Sequence, residues 1–278
     1  MIHWLVQSSI TQPDLHAGIA PLDLLSQVEQ RHLATLQIKK RRKDWLLGRW
    51  TVKHLLQSYI EQQTDVRLPL CAIVIDNDAD GAPFVQLNPA LLTELVGRPY
   101  DDHYANPTLS ISISHSHDLA FCALYAAHDE LGGADCCNPS VQIGADIEHI
   151  EPRADHFIED YFTAEEIQQV RRAPAGIRDL LVTLIWSAKE AVLKALRVGL
   201  TVDTRQVSCL IGAAERVNST WNSFVISCDT QLLAERVGQP IGRAVYGESS
   251  CLAQTAAFTG WWRTKDDYVL TIAILRKV

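Results

Sequence analysis

The chain reads as an α+β protein made of two similar halves, and three observations carry that reading. A helical pattern followed by short alternating strands fills the first half. The same order recurs in outline in the second, and a polar, small-residue stretch from Ala127 to Ser140, with Gly132-Gly133, Asp135, Asn138 and Pro139, separates them. The boundary falls between residues 138 and 139, giving halves of 1–138 and 139–278. Neither a glycine-rich dinucleotide fingerprint nor a phosphate loop of the P-loop type is present, so Rossmann and P-loop folds have no support.

The elements follow in order. Residues 2–9 alternate as a first strand, and Pro21 to Ile60 carries a long helical pattern broken into two or three helices. In its last part, Arg41-Arg42-Lys43-Asp44-Trp45-Leu46-Leu47-Gly48-Arg49 onward, Trp45, Val52 and Leu56 are spaced for one buried face. Strands are expected at Cys71–Ile75 and Pro83–Leu87. Leu109–Ser114 and Leu119–Ala126 are expected to pair about a turn at His115-Ser116-His117-Asp118, because two alternating apolar runs flank a short polar link. After the linker come a strand within the apolar stretch Val141–Ile150, a loop with Pro152, and a helix near Thr163–Arg171. Thr163-x-x-Glu166 gives that helix the form of a capping box. A long helix from about Gly176 to Arg197 precedes strands at Val207–Ile211, Ser223–Cys228, Ala244–Tyr246, Cys251–Gly260 and Tyr268–Leu275.

Composition narrows the function class. With 278 residues and 47% hydrophobic side chains the chain can build one large or two medium cores, and its formal charge of -8 opposes bulk attraction to nucleic acid or an anionic membrane. The start, Met1-Ile2-His3-Trp4-Leu5-Val6, has no basic leader, and no apolar run is long enough to span a bilayer, so a cytoplasmic location is expected. The seven cysteines are scattered and odd in number, and they read as reduced, mainly buried thiols. A zinc cluster of His115, His117, Cys136 and Cys137 lacks any supporting C-x₂-C pair.

The chemistry concentrates in two segments. In Gly144-Ala145-Asp146-Ile147-Glu148 the two carboxylates are two residues apart, which on a strand points both to one face. In Trp186-Ser187-Ala188-Lys189-Glu190-Ala191-Val192-Leu193-Lys194, helical spacing sets Glu190 between Lys189 and Lys194. Three hard carboxylates with nearby ammoniums suit Mg²⁺ completed by substrate phosphates. A solvated strand and an ordinary helix ion pair are the plain readings of either segment taken alone.

Four places in order resemble the 4′-phosphopantetheinyl transferases, specifically the larger Sfp-type members. The run Arg41 to Arg49 with Lys53 is similar to the family's basic helix, Gly81-Ala82-Pro83-Phe84 to its G-K-P segment, and Ser112-Ile113-Ser114-His115-Ser116 to its S-(I/L)-S-H-S turn. The fourth place is the pair of segments just described, similar to G-x-D-(I/V)-E and W-(S/T)-x-K-E-A-x-x-K. The chain departs from the family where Ala82 stands in place of a lysine, and Asn88 to Pro107 lengthens the link to S-I-S-H-S as an inserted loop or helix.

The resemblance implies two α+β halves in pseudo-twofold arrangement, acting as a monomer, and the acidic balance argues against a nucleic-acid or membrane partner. It implies Mg²⁺-dependent transfer of the 4′-phosphopantetheine arm of coenzyme A to a serine of an apo acyl or peptidyl carrier protein, releasing adenosine 3′,5′-bisphosphate. Carried over residue by residue, Asp146, Glu148 and Glu190 hold Mg²⁺, and Glu190 is also the general base. Lys194 meets the pyrophosphate, Lys189 does so less directly, and Trp186 packs the catalytic helix. Ser114 and His115 meet the 3′-phosphate, and Arg42, Lys43 and Arg49 the adenosine phosphates. The carrier is expected to dock on Phe157–Ala173, with Arg171 and Arg172 supplying local positive charge. Two other classes fit the residues less well: an Mg²⁺-dependent nuclease, opposed by the acidic balance, and a carrier-binding protein without catalysis, opposed by the intact set Asp146, Glu190 and Lys194.

Overall fold

The computed structural model describes residues 1–87, 94, 108–127, 141–212, 220–229, 231–233 and 256–277. The expected linker beyond Ala127, most of the insertion Asn88–Pro107, the strand at Ala244–Tyr246, and Cys136, Cys137 and Cys251 lie outside the described residues. The chain divides into two compact units, one of Met1–Pro139 with Ala145–Ile147, the other of Ser140–Gly144 with Glu148–Val278. Helices and mainly antiparallel strands are segregated within each, which is an α+β architecture.

The first unit runs β1 (Ile2–Ser8), α1 (Pro13–Ala17), α2 (Gln27–Thr35), α3 (Lys39–Thr64), β2 (Ile73–Asn77), β3 (Pro83–Leu87), β4 (Thr108–Ser116) and β5 (Leu119–Ala127). Its strands form a three-stranded sheet of order β1-β5-β4 and a β2-β3 pair. The long helix α3 turns Val52, Leu56, Tyr59 and Ile60 into a core with Ile73, Ile111, Cys122 and Leu124. Trp45 is only half-buried, so the expected apolar face starts further along the helix. The short helix α1 was not anticipated; Pro13 opens it and Gly18, at φ 76, closes it. The β4-β5 hairpin is tighter than the sequence suggests, because the strands stay paired to Ser116↔Leu119. Only His117 and Asp118 turn, with His117 at φ 54, so His115 is a strand residue rather than a turn residue.

The second unit runs β6 (Val141–His149), α4 (Asp155–Tyr161), α5 (Ala164–Arg172), α6 (Arg178–Ala195), β7 (Val207–Ile211), β8 (Asn222–Cys228), β9 (Ala256–Lys265) and β10 (Tyr268–Lys277). Among the described residues its sheet has the order β6-β10-β9-β8-β7. Helix α6 is buried on nearly every face, and Leu184, Ile185, Ala188 and Val192 share a core with Trp262, Val269 and Ala273. An all-round apolar helix of this kind is a central element, to which its flanking strands and helices conform. The seven-residue α4 falls where the sequence suggests a loop; its packing comes from aromatic edges, with Phe157 and Tyr161 ring centroids 5.0 and 5.2 Å from Trp186. Trp186 therefore does pack, as expected, and what it packs is α4.

Candidate active site

Strand β6 carries Asp146 and Glu148 at i and i+2, the spacing that aims alternate side chains to one face. Asp146 is 4% exposed, and its Oδ1 accepts a hydrogen bond of 2.7 Å from the Ser114 hydroxyl. The serines of β4 also stitch that strand to the backbone beside Asp146: the amide of Ala145 donates to Ser112 Oγ at 2.9 Å and that of Ile147 to Ser114 Oγ at 3.4 Å. Glu148 is half-buried and accepts from the Arg153 guanidinium at 3.3 Å, which in turn lies over the Phe157 ring and 3.2 Å from Glu151.

The glycine before this pair has a packing reason. A Cβ built at Gly144 would lie 1.8 Å from the Ala191 carbonyl oxygen and 2.6 Å from the Ala195 amide, so β6 touches the backbone of α6 there. Only hydrogen fits in that gap.

On α6, Glu190 and Lys194 are half-buried, one turn apart, and both make polar contacts. Lys189 differs. It is wholly buried, with its ammonium 2.7 Å from Glu166 Oε2 and a second hydrogen bond to the Val207 carbonyl. A helix advances about 100° per residue, so neighbours cannot share a face, and Lys189 turns inward where Glu190 does not. The expected contact of Lys189 with a phosphate is accordingly corrected: an enclosed, paired ammonium is not presented to a soluble ligand.

Ser114 is corrected on the same ground, since it is 6% exposed and its proton is committed to Asp146 rather than to a 3′-phosphate. His115 is the exposed member of that motif, and its Nδ1 stands 4.0 Å from Asp44 Oδ2. Of the basic residues on α3, Lys43 is half-buried, and Arg42 donates to the carbonyls of Gly18 (2.7 Å) and Leu33 (3.1 Å). Arg49 is 8% exposed, with its guanidinium stacked 4.8 Å from the Trp45 ring and Nε 3.6 Å from Glu29. Burial pushes the Arg49 guanidinium below the usual arginine range, and Glu29 counters this.

The donor set suits a hard divalent cation. Asp146, Glu148 and Glu190 carry carboxylates, the donor type of Mg²⁺, and the Ser114 hydrogen bond fixes the direction of the Asp146 side chain.

Sequence reasoning missed Glu29 and the structural roles of Lys53 and Glu166. The signal was present, because Trp50-Thr51-Val52-Lys53 and Trp186-Ser187-Ala188-Lys189 are the same pattern, each downstream of a capping box, Ser26-x-x-Glu29 or Thr163-x-x-Glu166.

The region bearing Asp146, Glu148, Glu190 and Lys194 lies within a match to a known family. Residues 142–245 fit the family described as the 4′-phosphopantetheinyl transferase superfamily. A curated relative, 4′-phosphopantetheinyl transferase HetI of Nostoc sp. (strain PCC 7120), is 30% identical over 107 residues. That match takes in 37% of this chain and 40% of the relative, so it spans well under half of HetI. Among solved structures, an apo-ACPS from Chronobacterium ammoniagenes aligns with a TM-score of 0.36 and 20% identity, over 45% of this chain and 93% of that one. An ACPS-CoA complex from the same organism gives a TM-score of 0.35 and 16% identity, over 50% and 98% of the two chains. Similarity of that size does not by itself establish a shared fold. It is over residues 142–245, which carry the G-x-D-x-E and W-S-x-K-E-A-x-x-K segments on β6 and α6, that the chain is similar to the 4′-phosphopantetheinyl transferase superfamily.

Proposed function

We propose that this protein transfers the 4′-phosphopantetheine arm of coenzyme A to a serine of an apo acyl or peptidyl carrier protein, releasing adenosine 3′,5′-bisphosphate. The observation that carries the proposal is the superfamily domain at 142–245 with Asp146, Glu148, Glu190 and Lys194 all retained in it. Asp146, Glu148 and Glu190 would hold Mg²⁺, which would supply neutralisation of the phosphate charge. Glu190 takes the proton of the carrier serine, whose oxygen forms the new bond to the phosphorus bearing the pantetheine arm. The bond from that phosphorus to the bridging oxygen breaks, and the bisphosphate leaves with the electron pair. Lys194, one turn beyond Glu190, donates to a pyrophosphate oxygen as charge moves toward the leaving group.

His115, the exposed residue of β4, meets the 3′-phosphate, and Lys43, Arg42 and Arg49 of α3 serve the adenosine phosphates. In this reading residues 1–138 supply the nucleotide contacts and residues 139–278 the metal and the base. The carrier docks on α4 and α5, where Arg171 and Arg172 close the last turn of α5. The protein acts as a cytoplasmic monomer with no nucleic-acid or membrane partner, and among the described residues no helix is long and apolar enough to cross a membrane.

The test is the mass of an apo carrier after incubation with the protein, CoA and Mg²⁺. A gain of the phosphopantetheine mass that disappears in Asp146→Ala and Glu190→Ala is expected. Carriers of several types all left unmodified by the unaltered protein would refute the assignment.

A further inference from the structure

The wholly buried Lys189 recurs in the other unit. Lys53, on α3, is 0% exposed and sits 2.6 Å from Glu29 Oε2, just as Lys189 sits 2.7 Å from Glu166 Oε2. Each glutamate is the third residue of a helix and closes a capping box at its start: Ser26 N donates to Glu29 Oε2 at 2.9 Å, and Thr163 N to Glu166 Oε2 at 2.7 Å. The other carboxylate oxygen takes a strand amide in both cases, Ile75 of β2 at 3.4 Å and Cys209 of β7 at 2.7 Å. Each lysine completes its shell on carbonyls: Lys53 on Leu24 (2.8 Å) and Leu70 (3.2 Å), Lys189 on Val207. One buried carboxylate thus ties together a helix start, a strand and a lysine on the long helix, once in each unit.

The residue after the lysine differs. In α6 it is Glu190, whereas in α3 it is His54, whose Nδ1 lies 2.8 Å from the Trp50 carbonyl of its own helix. A network that is the same beside a carboxylate and beside a self-bonded histidine has a duty independent of phosphate chemistry.

We propose that Lys189 is a positioning residue: its buried ion pair with Glu166 fixes the rotation of α6 against α5 and β7, and thereby aims Glu190. The physical case rests on geometry. A buried pair adds little net stability over a well-packed neutral pair, but removing one member strands the other charge, so the pair tolerates one helix rotation and penalises the rest. Small rotations matter at the adjacent residue, because a reacting group misplaced by about 1 Å can lose on the order of 100-fold in rate.

The proposal rests on the transferase reading, and three variants test it: Lys189→Met, Glu166→Gln, and the two combined. Thermal unfolding, CoA binding, and kcat and KM for CoA are measured on each. Lys189→Met is expected to melt well below the unaltered protein and to lose about 10–100-fold in kcat while KM and CoA binding stay within about threefold, as a misaimed group implies. Glu166→Gln should move the same quantities in the same direction by less. In the double variant no charge is stranded, so melting temperature should return, whereas kcat should stay reduced because the pair that sets the rotation of α6 is gone. A rise of about tenfold or more in KM or in the CoA dissociation constant, persisting in the double variant with melting unchanged, overturns the proposal in favour of a phosphate contact. Failure of the unaltered protein to modify any carrier overturns the transferase reading instead, and the melting series still decides whether the pair anchors α6.

Discussion

Gly144→Ala is the smallest change that sets β6 against α6. The new Cβ would lie 1.8 Å from the Ala191 carbonyl oxygen, and since real Cβ contacts essentially never fall below 3.0 Å, strand and helix must part by more than 1 Å. Neither partner can yield cheaply, because the obstructing atoms are helix backbone and Ala191, Val192 and Ala195 are all 0% exposed. Overpacking of this kind costs about 1–3 kcal/mol, and the rigid obstruction places Gly144→Ala at the upper end of that range. For a domain of about 150–250 residues, each kcal/mol lowers Tm by about 2–4 °C. The functional loss should exceed the stability loss, since β6 carries Asp146 and Glu148 while α6 carries Glu190. If these carboxylates share Mg²⁺ as proposed, a displacement of about 1 Å should lower rate on the order of 100-fold. Thermal unfolding and the carrier mass assay, both run well below the melting temperature, read the two effects separately. A Gly144→Ala protein that melts and transfers like the unaltered one would show that β6 and α6 do not meet as described.

Two further predictions come from buried polar groups. Ser114→Ala removes a charge-assisted hydrogen bond to Asp146 worth about 1.5–3 kcal/mol; binding of Mg²⁺ by titration calorimetry should weaken while the preference for CoA over 3′-dephospho-CoA stays put, and a collapse of that preference instead would restore Ser114 to the 3′-phosphate. Burial raises the Cys228 thiol from about 9 to about 11, and Cys209 is raised well above its ordinary value chiefly by burial and then by Glu166, so between those pH values the unfolded chain loses thiol protons first and stability must fall as pH rises; Cys228→Ala should flatten that alkaline decline in urea unfolding curves from pH 8.5 to 10.5, and an unchanged slope would contradict the burial of the thiol.

Legibility in the sequence tracked the length and periodicity of each element. Strands β3 and β7 were bounded correctly from alternation and turn residues alone, and the Thr163-x-x-Glu166 signature marked the start of α5. The short helices α1 and α4 escaped because five or seven residues carry too little periodicity, and α4 is held by aromatic edges on Trp186 that no local pattern reveals. The hairpin tip was misjudged by two residues because polar side chains on a strand edge look like a turn; His115 and Ser116 keep the ladder, and the reversal falls on His117 and Asp118. For the candidate site, the placing of Asp146 and Glu148 two apart on a strand and of Glu190 and Lys194 one turn apart on a helix was legible from the period of each element. What was not legible was direction. Lys189 and Ser114 belong to the same motifs, yet one points into the protein and the other is spent on Asp146, and only tertiary packing decides that.

The two buried lysines show how geometry and chemistry are divided along one helix. Lys53 and Lys189 lie 24 and 23 residues after their glutamates, in the same Trp-(Ser/Thr)-x-Lys setting, and make the same kinds of bond to helix start and strand. Had α6 been fastened by apolar packing alone, Leu184, Ile185, Ala188 and Val192 would tolerate small slips, since contacts between smooth side chains change little with a few degrees of rotation. A charge with a fixed set of acceptors does not tolerate them, because each lost hydrogen bond leaves a buried group unsatisfied. The fastening is therefore most useful one residue from a group whose direction matters, and that is where Lys189 stands relative to Glu190. In α3 the same fastening precedes Trp50-bonded His54, and one turn before it stands Arg49, whose Nε lies 3.6 Å from the same Glu29 carboxylate.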